Sequence, residues 1–146
     1  MNKRVVVIAS IALATIAVSA TVYYSCRSGL PRVKLGRIHF DHANNTYTGS
    51  QNISVWMDAV IRTKGTMFQL TAFLTVKDNS RKEVYEDKIA SGRWEFLPVE
   101  RKPAYTVTRK ITCTFWIEET GEYEVSVAAY VDGEDDTVTG TFKVVP

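Results

Sequence analysis

From Tyr105 to Val145 the chain reads YTVTRKITCTFWIEETGEYEVSVAAYVDGEDDTVTGTFKVV, with apolar and polar residues in close alternation. A side-chain period of two belongs to β-strands, whose successive residues point to opposite faces of a sheet. Val107, Ile111, Cys113, Phe115 and Ile117 share one face. Tyr123, Val125, Val127, Ala129 and Val131 form the next, and Val138, Gly140, Phe142 and Val144 the last. Arg109 interrupts the first of these faces and is expected at the strand's edge. Threonine, valine and aromatic residues dominate, as a half-buried pleated surface favours. The stretch is three strands joined by two turns, and helical periodicity is absent from it.

The rest of the chain follows the same rule. Val33–Phe40 alternates loosely and predicts a first, edge strand, followed by a polar turn from Asp41 to Gln51. Asn52–Ile61 places Ile53, Val55, Met57, Ala59 and Ile61 on one side, with Trp56 on the other among Ser54 and Asp58. Met67–Val76 places Phe68, Leu70, Ala72, Leu74 and Val76 on a common face. Glu83–Ala90 predicts a weaker, peripheral strand. The connection from Ser91 to Ala104 is irregular and carries two prolines, with a short strand expected at Trp94–Leu97. About seven antiparallel strands at hairpin spacing read as an all-β sandwich.

At Glu119-Thr-Gly-Glu-Tyr-Glu-Val125 the chain resembles the immunoglobulin-like superfamily. The family pattern is an acid, then Gly or Ala, then Tyr, then Cys at alternate positions. Here Glu119, Gly121 and Tyr123 stand in the first three, and Val125 takes the place of the cysteine. The resemblance implies a tyrosine corner at Gly121 and Tyr123, the hydroxyl bonding back to the backbone of the preceding turn. Without the cysteine, the similarity is to disulfide-free immunoglobulin-like and fibronectin-type-III-like modules of microbial surface proteins. It covers residues 50 to 145, and the fold it implies hosts many unrelated activities.

Residues 5 to 26 carry no charge and follow Lys3 and Arg4. As an anchor, Val5–Tyr24 would span about 30 Å at ~1.5 Å per residue, with Tyr23 and Tyr24 in the interfacial belt. As a cleaved signal, Val18-Ser19-Ala20 would be the processing site. The anchor is preferred because apolar character continues past that site; a lipidated Cys26 is a third reading, with a poor flanking sequence. The expected organisation is a signal peptide or transmembrane helix at 1–26, a link at 27–32 and the sandwich at 33–146. The basic residues after the segment argue for a cytoplasmic domain by the positive-inside rule. The terminal basic cluster and short apolar run argue for export, which is preferred. The expectation is a single-pass membrane protein with an extracytoplasmic domain, or a secreted one after cleavage.

Without residues 1–26 the bases and acids balance, so a basic face for nucleic acid is not expected. The two cysteines are Cys26 and Cys113, and neither a disulfide framework nor zinc spacing can be drawn. No nucleophile or phosphate-loop motif is present, and no cofactor is expected. Metal candidates are the turn carboxylates Asp132, Glu134, Asp135 and Asp136, which would suit calcium. His39, Asp41 and His42 are a second set. Basic residues on neighbouring turns, Arg62 with Lys64 and Lys77 with Arg81 and Lys82, offer counter-charges that turn the acidic loops into solvated corners. The candidates for partner contact are Trp94, Phe96 and Leu97 on the irregular connection, extended by Trp56. These readings predict a non-enzymatic interaction module held at a membrane through residues 5–24, with a protein partner. The alternative is an extracytoplasmic metal- or small-ligand-binding protein.

Overall fold

The computed structural model describes residues 32–146, and the expected membrane segment lies outside them. Among the described residues there are nine strands and no helix. In one sheet, β4 (Asn52–Thr63) pairs along its whole length with β7 (Tyr105–Trp116). The other side of β4 takes β1 (Arg32–Leu35) and then β2 (His39–Phe40). The second sheet runs in the order β3 (Thr46–Thr48), β9 (Glu134–Val145), β8 (Gly121–Val131), β5 (Met67–Asp78), β6 (Glu83–Glu95). All pairings are antiparallel except β3 with β9. The described residues form a two-sheet, all-β sandwich.

The core follows from the alternation. Ile53, Val55, Met57, Ala59 and Ile61 of β4 face Phe68, Leu70, Ala72, Leu74 and Val76 of β5, and all are buried. Val125, Val127, Ala129 and Val131 of β8 complete the layer. Each larger aliphatic residue removed from water contributes about 1.5–3 kcal/mol. Phe142 on β9 gathers the aromatic residues at one end, with ring centroids 5.3 Å from Tyr123, 5.8 Å from Phe115, 5.9 Å from Phe40 and 6.1 Å from Tyr47. Gly140 makes this possible, because a Cβ there would lie 3.2 Å from the Phe40 ring.

Three expectations need correction. The first strand is two short ones, because the chain breaks at Gly36, whose N–H donates to the Asp58 carbonyl at 2.7 Å. The polar turn at 41–51 contains β3, whose Tyr47 is only 1 % exposed. The segment 83–90 and residues Trp94 and Glu95 belong to one strand, β6, which follows β5 through two register shifts and ends before Phe96 and Leu97. Those irregularities hide the period of two on which the sequence reading depended.

Candidate contact surface at the open edge

Sheet order leaves β6 at the edge of one sheet and β7 at the edge of the other. Residues directly opposite across a strand pair share a face. Trp94 lies opposite the buried Phe68, and Arg109 opposite the buried Ala59. Both side chains therefore turn into the gap between the sheets, where the Arg109 guanidinium carbon sits 4.8 Å from the centre of a Trp94 ring. Arg109 was expected to leave the core at a strand edge. It lies inside β7 and keeps its side chain in the gap, against Trp94. Its Nε is buried and has no hydrogen-bond partner. An unmet buried donor of this kind costs about 1–3 kcal/mol.

Farther along the same gap, Tyr85 stacks on Phe115 at 5.3 Å, and its hydroxyl is 3.4 Å from Asp87 Oδ2. Burial, and then the Asp87 charge, raise the pKa of the Cys113 thiol. Burial and the same carboxylate raise that of Tyr85.

The connection from β6 to β7 is held at its base. The Phe96 N–H donates to the Thr66 carbonyl at 3.0 Å, and the Phe96 ring meets Tyr105 edge-on at 5.3 Å. The Tyr105 hydroxyl donates to the Glu100 carbonyl at 3.2 Å and accepts from the Lys102 N–H at 2.9 Å. A shallow groove of about 440 Å³ runs between Phe96, Pro98 and Val99 on one bank and Tyr105 and Val107 on the other. Leu97, and Val99 on the rim of the groove, are held in solvent at 93 % and 101 % exposure.

Trp56 does not join this surface. It projects from the outer face of the β4 sheet, parallel to the His39 ring at 5.5 Å, with Lys110 Nζ 5.4 Å from its centre. Trp116 lies on the same outer face, half exposed, its Nε1 donating to the Gly49 carbonyl at 2.9 Å. Trp94, Phe96 and Leu97 form one neighbourhood, and Trp56 belongs to another.

The turn carboxylates are not brought together either. Asp132 and Gly133 have φ of 46° and 94° and form the two-residue turn between β8 and β9. Asp132 Oδ1 accepts from the Gln69 N–H at 3.2 Å, while Asp136 Oδ2 accepts from the Leu35 N–H at 2.7 Å in the opposite sheet. Asp135 pairs with Tyr130 and Glu134 with Val131, so these two also point to opposite faces. In the second set, His39 stacks on Trp56, Asp41 accepts from the Tyr47 hydroxyl at 2.6 Å, and His42 stacks on Tyr47 at 4.7 Å. Among the described residues, no three His, Cys, Asp or Glu side chains are placed to hold a metal. The expected counter-charges are also not engaged. Among the described residues the one ion pair is Lys143 with Glu122, at 3.9 Å. The acidic turn is satisfied by backbone N–H groups, not by Arg62 or Lys64.

The Tyr123 hydroxyl donates to the Glu119 carbonyl at 2.8 Å, and the Tyr123 ring lies against Gly121, whose absent Cβ would be 3.5 Å from it. Burial, followed by the charges of Glu119 and Asp78, pushes the Tyr123 hydroxyl up from its ordinary pKa.

No family model matches the chain. No curated protein matches it either. Among solved structures, it is similar to the alkylpurine DNA glycosylase AlkC of Pseudomonas fluorescens, solved bound to DNA containing an abasic site analog. The TM-score is 0.50 at 11 % identity, over 79 % of this chain and 31 % of that one. The chain thus spans about a third of that enzyme's length, and the likeness is one of fold alone. A CARDB domain from Pyrococcus furiosus, solved with di-metal ions, aligns at a TM-score of 0.42 and 10 % identity, over 80 % of this chain and 90 % of that one.

Proposed function

We propose that the chain is a non-enzymatic, membrane-delivered, immunoglobulin-like module that works by protein–protein contact at the open edge between β6 and β7. Its setting is surface or envelope assembly, adhesion, or an accessory place beside a membrane complex. The observation that carries the reading is Arg109, a cation turned into the gap with an unmet Nε and Trp94 against its face. A chain laid along the edge of β7 would pair with backbone groups that β4 leaves free and bring an acceptor to that nitrogen. Delivery to the membrane rests on the uncharged run at 5–26.

The test is photo-crosslinking of the full chain in its native membranes. A benzophenone side chain at Thr108, on the outer face of β7, is expected to give a discrete adduct, and one at Ser80, beyond the far end of β5, none. Arg109→Met should abolish the Thr108 adduct while raising stability by about 1 kcal/mol, since the orphan donor goes and the aliphatic stem stays. Equal adducts at both positions, or an Arg109→Met chain that keeps its partner, would overturn the proposal.

A further inference from the structure

The end of the sandwich from which Leu97 and Val99 project is also the end at which the described chain begins. Arg32 pairs with Arg62, and next to it Thr63 pairs with Tyr105. Phe96 bonds to Thr66, and Met67 pairs with Glu95. The start of β1, the turn from β4 to β5 and the loop from β6 to β7 therefore share one pole. In the sequence, residues 27–31 join the uncharged segment to the start of β1.

From these placements we infer that the loop tip Leu97-Pro98-Val99 docks on the lipid surface, an inference that rests on the membrane delivery proposed above. Two aliphatic side chains held in water by a clipped loop gain by entering the acyl boundary, about 0.8 kcal/mol for each buried CH₂. Arg62, Lys64, Arg101 and Lys102 are exposed at the same pole and face anionic headgroups. The opposing charges there are Glu95, Glu100, Asp132 and Glu134. The last two sit on the β8–β9 hairpin, which β5 separates from β6. Glu95 and Glu100 flank the apolar tip at the β6–β7 corner together with Arg101 and Lys102, and Arg62 and Lys64 on the neighbouring turn leave the surroundings of the tip net basic. Docked in this way, the length of β7 from Thr108 to Trp116 stands away from the bilayer and stays open to a partner.

The experiment uses the full chain carrying Cys26→Ser and Cys113→Ala, with one environment-sensitive fluorophore at Val99→Cys or, as control, at Ser80→Cys. The probe is a phosphatidylcholine vesicle containing about a third phosphatidylglycerol and a nitroxide-labelled lipid. Flotation reads membrane attachment, and quenching reads the depth of the label. The expected result is flotation, with quenching at 99 several-fold greater than at 80. Leu97→Asp should reduce the quenching at 99 without affecting flotation. Arg101→Gln and Lys102→Gln should weaken the dependence on phosphatidylglycerol roughly fivefold each. Flotation with equal quenching at 99 and 80 overturns the docking and leaves delivery standing. Neither flotation nor quenching overturns both. A label at 99 that is shielded only in native membranes, and not by lipid vesicles, assigns the tip to a protein and overturns the inference.

Discussion

The Tyr47 hydroxyl donates to the carboxylate of Asp41 at 2.6 Å, from a ring that is 1 % exposed. Burial, and then this bond, push the ionisation of Tyr47 far above the ordinary tyrosine value, since a phenolate would have to sit in the core beside a carboxylate. Tyr85 and Tyr123 are shifted the same way. A group whose folded pKa is raised contributes stability that is complete below its unfolded pKa and is lost as the pH climbs towards the folded one. For tyrosine the loss begins near pH ~10. Stability should therefore be level in the neutral range and fall steeply above that point. Tyr47→Phe should make the alkaline fall shallower, at the cost of about 1 kcal/mol near neutrality for the lost bond. Urea midpoints measured from pH 7 to 11 check both, and an unchanged alkaline slope in the variant would refute the assignment.

How much of this was legible in the sequence depended on what made each side chain face inward. The inward sets of β4, β5 and β8 could be read directly, because long strands in a two-sheet core convert burial into alternation. Tyr47 could not, since β3 is three residues long and offers no period to detect. Its burial comes from pairing with Val144 of β9, nearly a hundred positions away. Arg109 was visible as a break in the pattern, but not its destination, which is set by Trp94 on a strand of the other sheet. The acidic turn shows the limit most clearly. Four carboxylates within five residues look like one site, and only the turn geometry separates them.

Tyr123 tests the corner directly. Its ring packs on Phe142 at 5.3 Å, while its hydroxyl holds the Glu119 carbonyl. Tyr123→Phe keeps the stacking and loses the bond, and should cost about 1 kcal/mol. Tyr123→Ala loses both, and should cost about 3–5 kcal/mol, as for other buried aromatics. If the Phe variant is as stable as the parent chain, the hydroxyl has no part in fixing the turn.

Gly49 sits where the chain passes closest to the end of β7. A Cβ there would lie 2.6 Å from the Glu118 carbonyl oxygen, a backbone atom that cannot swing aside. Gly49→Ala should therefore destabilise by about 1–3 kcal/mol, in the manner of overpacking. Because the Gly49 carbonyl also accepts from Trp116, the same variant should change the indole's environment. Trp116→Phe, which loses the bond together with part of a half-exposed ring, should cost about 1 kcal/mol. Chemical denaturation together with tryptophan emission separates the two effects.

Arg81 closes the turn between β5 and β6 with φ of 62°, a left-handed conformation that costs a residue bearing a Cβ about 1–2 kcal/mol. The turn is otherwise well bonded. Asp78 Oδ1 accepts from the N–H groups of Ser80 at 2.8 Å and Lys82 at 3.0 Å, and the Arg81 N–H donates to the Asp78 carbonyl at 2.9 Å. Strain of this kind persists where its surroundings over-determine it. Arg81→Gly should relieve the strain, and part of the gain is offset by the greater freedom of glycine in the unfolded chain. The net expectation is a rise of about 0.5–1 kcal/mol, read as a higher urea midpoint at constant m. Arg81→Ala keeps the Cβ and the backbone conformation and removes the exposed side chain beyond it, so it should leave the midpoint where it was. An alanine variant that gains as much as the glycine one would place the cost in the charge crowded against Lys77 and Lys82, and not in the backbone.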